Sequence, residues 1–184
     1  MMRIVCVLLL TGITAVIVAG CGQTGGGYGT ETGQGATGAG NPVPKPNPAA
    51  FTATFTGAAE VPAVDTKAKG NAKLTLSADG KELSYDVWAW NISDITMAHL
   101  HMAPAGQNGE VVFWLYPTEG QTAKLIAGGI IGTIAKGTIT AAKLVGPLQG
   151  KTIQDLVDKI KAGDIYVQVH TQAHAEGEIR GQLK

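Results

Sequence analysis

Leu83-Ser84-Tyr85-Asp86-Val87-Trp88-Ala89-Trp90 decides the fold class. Leu83, Tyr85, Val87 and Ala89 take every second place, and Ser84, Asp86, Trp88 and Trp90 fall between them. A period of two puts one set on each face of an extended chain, which predicts a half-buried antiparallel strand. The alternation recurs upstream, where Phe51, Ala53 and Phe55 interleave with Thr52, Thr54 and Thr56, and Leu74 and Leu76 with Lys73 and Thr75. Ala78-Asp79-Gly80-Lys81 reads as a hairpin turn between two such strands. Residues 110–116 are apolar on both faces, which predicts a central strand or one with a face under a loop. Segments 129–134, 165–170 and 177–183 bring the total to about seven or eight short strands. The expected class is an all-β antiparallel sandwich. Trp88 and Trp90 share the face opposite Tyr85 and Val87 and are expected to pack under a loop, the alternative being an exposed aromatic strip for a partner or glycan.

One segment departs from the period of two. Ile153, Leu156, Val157 and Ile160 fall at helical spacing, Thr152 can cap the start with Asp155 three residues on, and Gly163 can end the turn. The pattern predicts one short amphipathic helix over 152–162, covering an end or edge of the sandwich.

The N-terminal third has a different character. Arg3 precedes an apolar run from Ile4 to Val18, and small residues follow, the layout of a secretory signal. The run is too short for a spanning helix, which needs about 20 residues. Val18-Ala19-Gly20-Cys21 resembles the bacterial lipobox, whose Cys is lipidated and becomes the mature N-terminus. The expected organisation is a lipoprotein signal over 1–20, then lipidated Cys21 with a Gly/Pro-rich disordered tether over 21–50. The folded domain occupies 51–184. The tether runs through Gly25-Gly26-Gly27 to Pro42, Pro44, Pro46 and Pro48; it has too little apolar surface to offset the entropy of ordering. This places the domain outside the cytoplasm in the cell envelope, anchored to a membrane by lipid. Gly22 after the Cys permits outer-membrane sorting if the host is Gram-negative.

Charge and cysteine use narrow the chemistry. Fourteen Lys and Arg balance fourteen Asp and Glu, and with Arg3, Lys45 and Glu31 lying before residue 51 the domain is nearly neutral. No basic stripe interrupts it, so nucleic acid is not an expected partner. The two cysteines, Cys6 and Cys21, precede the domain, which therefore has no disulfide, thiol nucleophile or thiolate ligand.

All four histidines lie in the domain: His99, His101, His170 and His174. In a strand His99 and His101 point to the same side with Cα atoms about 6.5–7 Å apart. Two imidazoles at that spacing can converge on one ion with bonds of about 2.0–2.1 Å. His170 ends another predicted strand and His174 sits in the loop after it. If those strands are neighbours, three or four nitrogens meet. Met97 has the parity of the pair and offers a thioether, a copper ligand. Met102 has the opposite parity and belongs to the core.

Three blocks together resemble the CHRD domain, named for repeats in chordin. They are Ala98-His99-Leu100-His101-Met102-Ala103 with Gly109-Glu110-Val111-Val112; residues 137–148; and residues 166–171 with Gly177-Glu178-Ile179-Arg180-Gly181-Gln182-Leu183. The resemblance spans nearly all of 51–184 and implies an immunoglobulin-like or related Greek-key β-sandwich; it does not by itself imply an enzymatic activity. Where the family often has a Pro before Gly-Glu-Ile-Arg-Gly, this chain reads Gln172-Ala173-His174-Ala175-Glu176, adding a histidine beside His170. Glu178 and Arg180 share a strand face and are expected to serve structure, paired with each other or with neighbours.

The expected function is a non-catalytic binding module. His99, His101 and His170 bind copper or zinc, with His174 or Met97 as an extra ligand, and affinity falls as imidazole protonates near pH 6.5. The alternative is a structural or adhesive display domain that contacts protein partners. Third is a mononuclear copper redox enzyme, on a faint resemblance to copper–zinc superoxide dismutases. Four histidines are too few for that enzyme's full metal set.

Overall fold

The computed structural model describes residues 48–122 and 124–184. The signal, Cys21 and the tether as far as residue 47 lie outside the described residues. Seven strands follow in order: β1 (Ala50–Thr56), β2 (Lys69–Leu76), β3 (Glu82–Met102), β4 (Glu110–Tyr116), β5 (Ile126–Thr140), β6 (Ile165–Thr171) and β7 (Ile179–Gln182), with helix α1 (Ile153–Lys161) before β6. All pairings are antiparallel.

The fold turns on β3. Its first half, the quoted stretch, lies between β2 and β5, with Tyr85 opposite Leu74 on one side and Gly137 on the other. Its second half lies between β4 and β6, with His99 opposite Trp114 and Gln168. The strand changes neighbours around Asn91 and Asp94, which adopt left-handed φ values of 54° and 53°. Asn and Asp tolerate that conformation better than other residues with a Cβ. Asp94 is also bonded on both sides, its carboxylate accepting from Gly128 N–H at 2.8 Å and its carbonyl from Gln172 N–H at 3.0 Å. One long bent strand therefore serves both layers, where the sequence pattern predicts separate short ones. One layer is β1-β2-β3-β5 and the other β4-β3-β6-β7; the Thr56–Arg180 pair joins β1 to β7 and closes the ring.

The layers bury one core. Phe55, Leu74, Leu83 and Val87 from the first layer meet Leu100, Ile165, Val167 and Val169 from the second, all at 0% exposure. Gly181 permits the close approach of β7 to β1, because a Cβ there would lie 2.1 Å from Thr54 O. β4 is an outer strand, not a central one; segment 144–148 folds over it, with Val145 N–H donating to Val112 O. Helix α1 forms as its pattern predicts. The Thr152 hydroxyl accepts from Asp155 N–H while the Asp155 carboxylate accepts from Thr152 N–H, and Ile153, Leu156, Val157 and Ile160 are buried. Among the described residues no helix is long and apolar enough to cross a membrane.

Trp88 corrects an expectation. It is 43% exposed and Trp90 is half-buried. Both stand on the outer face of the first layer, with Ile131, itself 79% exposed, opposite Trp90.

Candidate metal centre

The outer face of the second layer differs from that of the first. Strand alternation sends Val167 and Val169 of β6 into the core and turns Tyr166, Gln168 and His170 outward; on β3 it sends Ala98 and Leu100 in and His99 and His101 out. That outward set is nevertheless buried, with His99 at 4%, His101 at 8% and His170 at 6% exposure. Three connecting segments roof it. Arg180, 2% exposed, donates to Ala59 O at 2.6 Å, Gln107 O at 3.1 Å and Asn108 Oδ1 at 2.9 Å. Asn108 donates onward to Val61 O. Gln168 donates to Glu60 Oε2 at 2.7 Å and Glu176 O at 3.0 Å. Each long-range hydrogen bond fastens a loop over the histidines. Glu178 does not pair with Arg180; its carboxylate accepts from the Thr66 and Thr171 hydroxyls.

Beneath the roof, His99 and His170 ring centroids are 5.0 Å apart, His99 and His101 5.5 Å, and His101 and His170 6.1 Å. One ring nitrogen from each lies within 4.8 Å of the others. Trp114 stands edge-on to His99 at 4.3 Å, and Tyr166 stacks on His101 at 5.0 Å. The Arg180 guanidinium lies over the Tyr166 ring, 4.5 Å from its centroid.

The hydrogen bonds fix every ring proton. A carbonyl only accepts, so His101 Nδ1–H donates to Gly109 O at 3.0 Å and His170 Nδ1–H donates to Ala175 O at 2.9 Å. Both Nε2 atoms are then bare lone pairs. His99 Nδ1 lies 3.2 Å from His170 Nε2, so its Nδ1 carries the proton and its own Nε2 is bare. The Nε2 atoms of His99 and His101 are buried and have no partner. An unpartnered buried acceptor costs about 1–3 kcal/mol. Backbone carbonyls on Nδ1 are also the usual outer contacts that orient a metal-binding imidazole and expose Nε2. Both observations fit a metal ion. Donors bonded at about 2.0 Å to one ion stand roughly 3.4 Å apart, so the rings have to draw closer, and His99 has to release its Nδ1–H bond to His170 Nε2 before its own Nε2 can join them.

Burial drives all three imidazoles toward the neutral form. It lowers His99 to about 3 and His101 to about 4, assisted by neighbouring rings, and also lowers His170. The expected loss of affinity therefore moves to below pH 6.5. These shifts carry a stability prediction. Below 6.5 the unfolded histidines take up protons that the folded ones refuse, so stability falls with pH. Glu60 acts oppositely. Burial pushes its carboxyl up from 4.5 to about 7, so its contribution declines as pH rises through that window. Three histidines outweigh one carboxyl, and the melting temperature of the metal-free protein should drop steadily between pH 6 and 4. A flat profile over that range would count against burial of the rings.

His174 lies outside the triad. It lines a cleft with Glu60, Val61, Pro62, Ala175 and Glu176, and its backbone closes the tight turn that aims Ala175 O at His170. Met97 stands opposite His170 in the β3–β6 register. Sequence reasoning missed Trp114, Tyr166, Gln168 and the roofing role of Arg180. It also missed Gly109, where a Cβ would lie 2.0 Å from Met102 O. Gly109→Ala should displace the carbonyl that holds His101 and cost about 1–3 kcal/mol, read as a lower denaturation midpoint. An unchanged midpoint would show that the loop has room.

The model of the CHRD domain matches residues 51–183, covering every element that builds the centre. The chain belongs to the CHRD domain family. No curated protein and no solved structure matches the chain. Among the blocks that carry the CHRD resemblance, the first supplies His99, His101 and the Gly109 carbonyl. The last supplies Tyr166, Gln168, His170 and Arg180.

Proposed function

We propose that this CHRD domain is a metal-binding module that holds one copper or zinc ion on His99, His101 and His170 without catalytic turnover. The observation that carries the reading is the pair of buried, unpartnered Nε2 atoms in a cluster whose ring protons are fixed by backbone carbonyls. Absence of turnover is supported by the roof. A metal that turns over substrate keeps a coordination position open, whereas these nitrogens are sealed beneath Arg180, Gln168 and Trp114. The lipobox-like Cys21 supports lipid anchoring in the cell envelope, with the tether standing the module off the membrane. Elemental analysis of protein purified from its native compartment should find about one copper or zinc per chain. A content below a tenth of that overturns the proposal.

A second reading is a display module that contacts protein partners. It is favoured by the exposure of Trp88 and Ile131 on the uncovered face of the first layer.

A further inference from the structure

Resting on the reading of the triad as a metal site, we infer that the site selects copper(I) over zinc(II). Charge and coordination number both point this way. The three donors are neutral imidazoles, and among the described residues no carboxylate oxygen joins the cluster within 4.8 Å. The carboxylate of Glu178 is committed to two hydroxyls, and that of Glu60 receives the Gln168 amide. A positive charge, Arg180, is fixed beside the His101 side of the cluster, and among the described residues the one carboxylate that faces His170 is that of Glu176. Arg180 lies over Tyr166, whose other neighbour is His101. Burying a cation without an anion costs free energy that grows steeply with its charge, so a dication is penalised far more than a monocation.

Coordination acts in the same direction. Zinc is almost always four-coordinate and completes three histidines with a further ligand, usually water. Here two of the three Nε2 atoms have no contact with solvent, and Trp114 closes the His99 side. Copper(I) is satisfied by three nitrogens in a plane. Met97, opposite His170 in the β3–β6 register, puts a soft thioether on the residue paired with one of the three ligands, a donor type that favours copper(I).

The test is a pair of anaerobic competition titrations on the full chain carrying Cys6→Ser and Cys21→Ser, so that no thiol competes. Copper(I) is titrated against a chromophoric copper(I) chelator and zinc(II) against a zinc-responsive dye. The same chain with His99→Ala/His101→Ala serves as background. The expected result is one copper(I) per chain, bound at least 100-fold more tightly than zinc(II). Zinc binding of equal or greater strength, lost in the histidine variant, overturns the selectivity and leaves the metal site standing. If neither ion binds above background, both the selectivity and the metal reading fail.

Discussion

Replacing His99 and His101 together by Ala will weaken metal binding at least 100-fold and leave the β-sandwich folded. Loss of a single outer contact to a metal-binding histidine typically lowers affinity 10–100-fold, and this variant removes two donors of three. The fold should survive because both rings lie on the outer face, apart from the apolar core; the change removes two unpartnered nitrogens but also strands Gly109 O and His170 Nε2, so some stability is lost. Relief of those orphaned acceptors offsets part of the packing lost beneath Trp114 and Tyr166. Isothermal titration and far-ultraviolet circular dichroism on the same sample separate the two effects. Undiminished metal uptake in a folded variant would eliminate this site.

Arg180→Met should be the most destabilising single change on the outer face. The guanidinium bonds three acceptors on two roofing segments, and methionine restores the bulk without a donor. Leaving Ala59 O, Gln107 O and Asn108 Oδ1 unpaired under the roof should cost about 3 kcal/mol or more. For a domain of this size that lowers the melting temperature by roughly 10 °C. Hydrogen exchange should locate the damage. Amides of residues 57–66 and 103–109 should lose protection, while Val87 and Leu100 in the core keep theirs. A loss of only a few tenths of a kcal/mol would mean that the loops are held by other contacts.

The strand pattern carried most of the fold. Alternation at 83–90 named the faces of β3 correctly, and Thr152, Asp155 and Gly163 marked the ends of α1. It did not reveal that β3 serves both layers, because the bend is made by two residues in left-handed geometry, and Asn91 and Asp94 sit inside an otherwise continuous β pattern. Parity placed His99 and His101 on one side. It could not tell a solvated side from a roofed one, since the roof depends on contacts between residues far apart in sequence, such as Arg180 with Ala59 and Gln168 with Glu60. The same blindness misplaced Trp88, whose face has the alternation of a covered strand but, among the described residues, no loop over it. Glycine offered the clearest unread signal. Gly109 and Gly177 stand where a side chain would strike Met102 O or the Gln168 amide, the two approaches that bring the roof down onto the rings.

X-ray absorption at the metal edge tests convergence of the three rings most directly, using the copper-loaded full chain with Cys6→Ser and Cys21→Ser. A first shell of three imidazole nitrogens at about 2.0 Å is expected, reduced to background in the His99→Ala/His101→Ala variant. A shell with fewer than two imidazoles, or one made of oxygen, or a spectrum unchanged by the double substitution, would contradict that convergence.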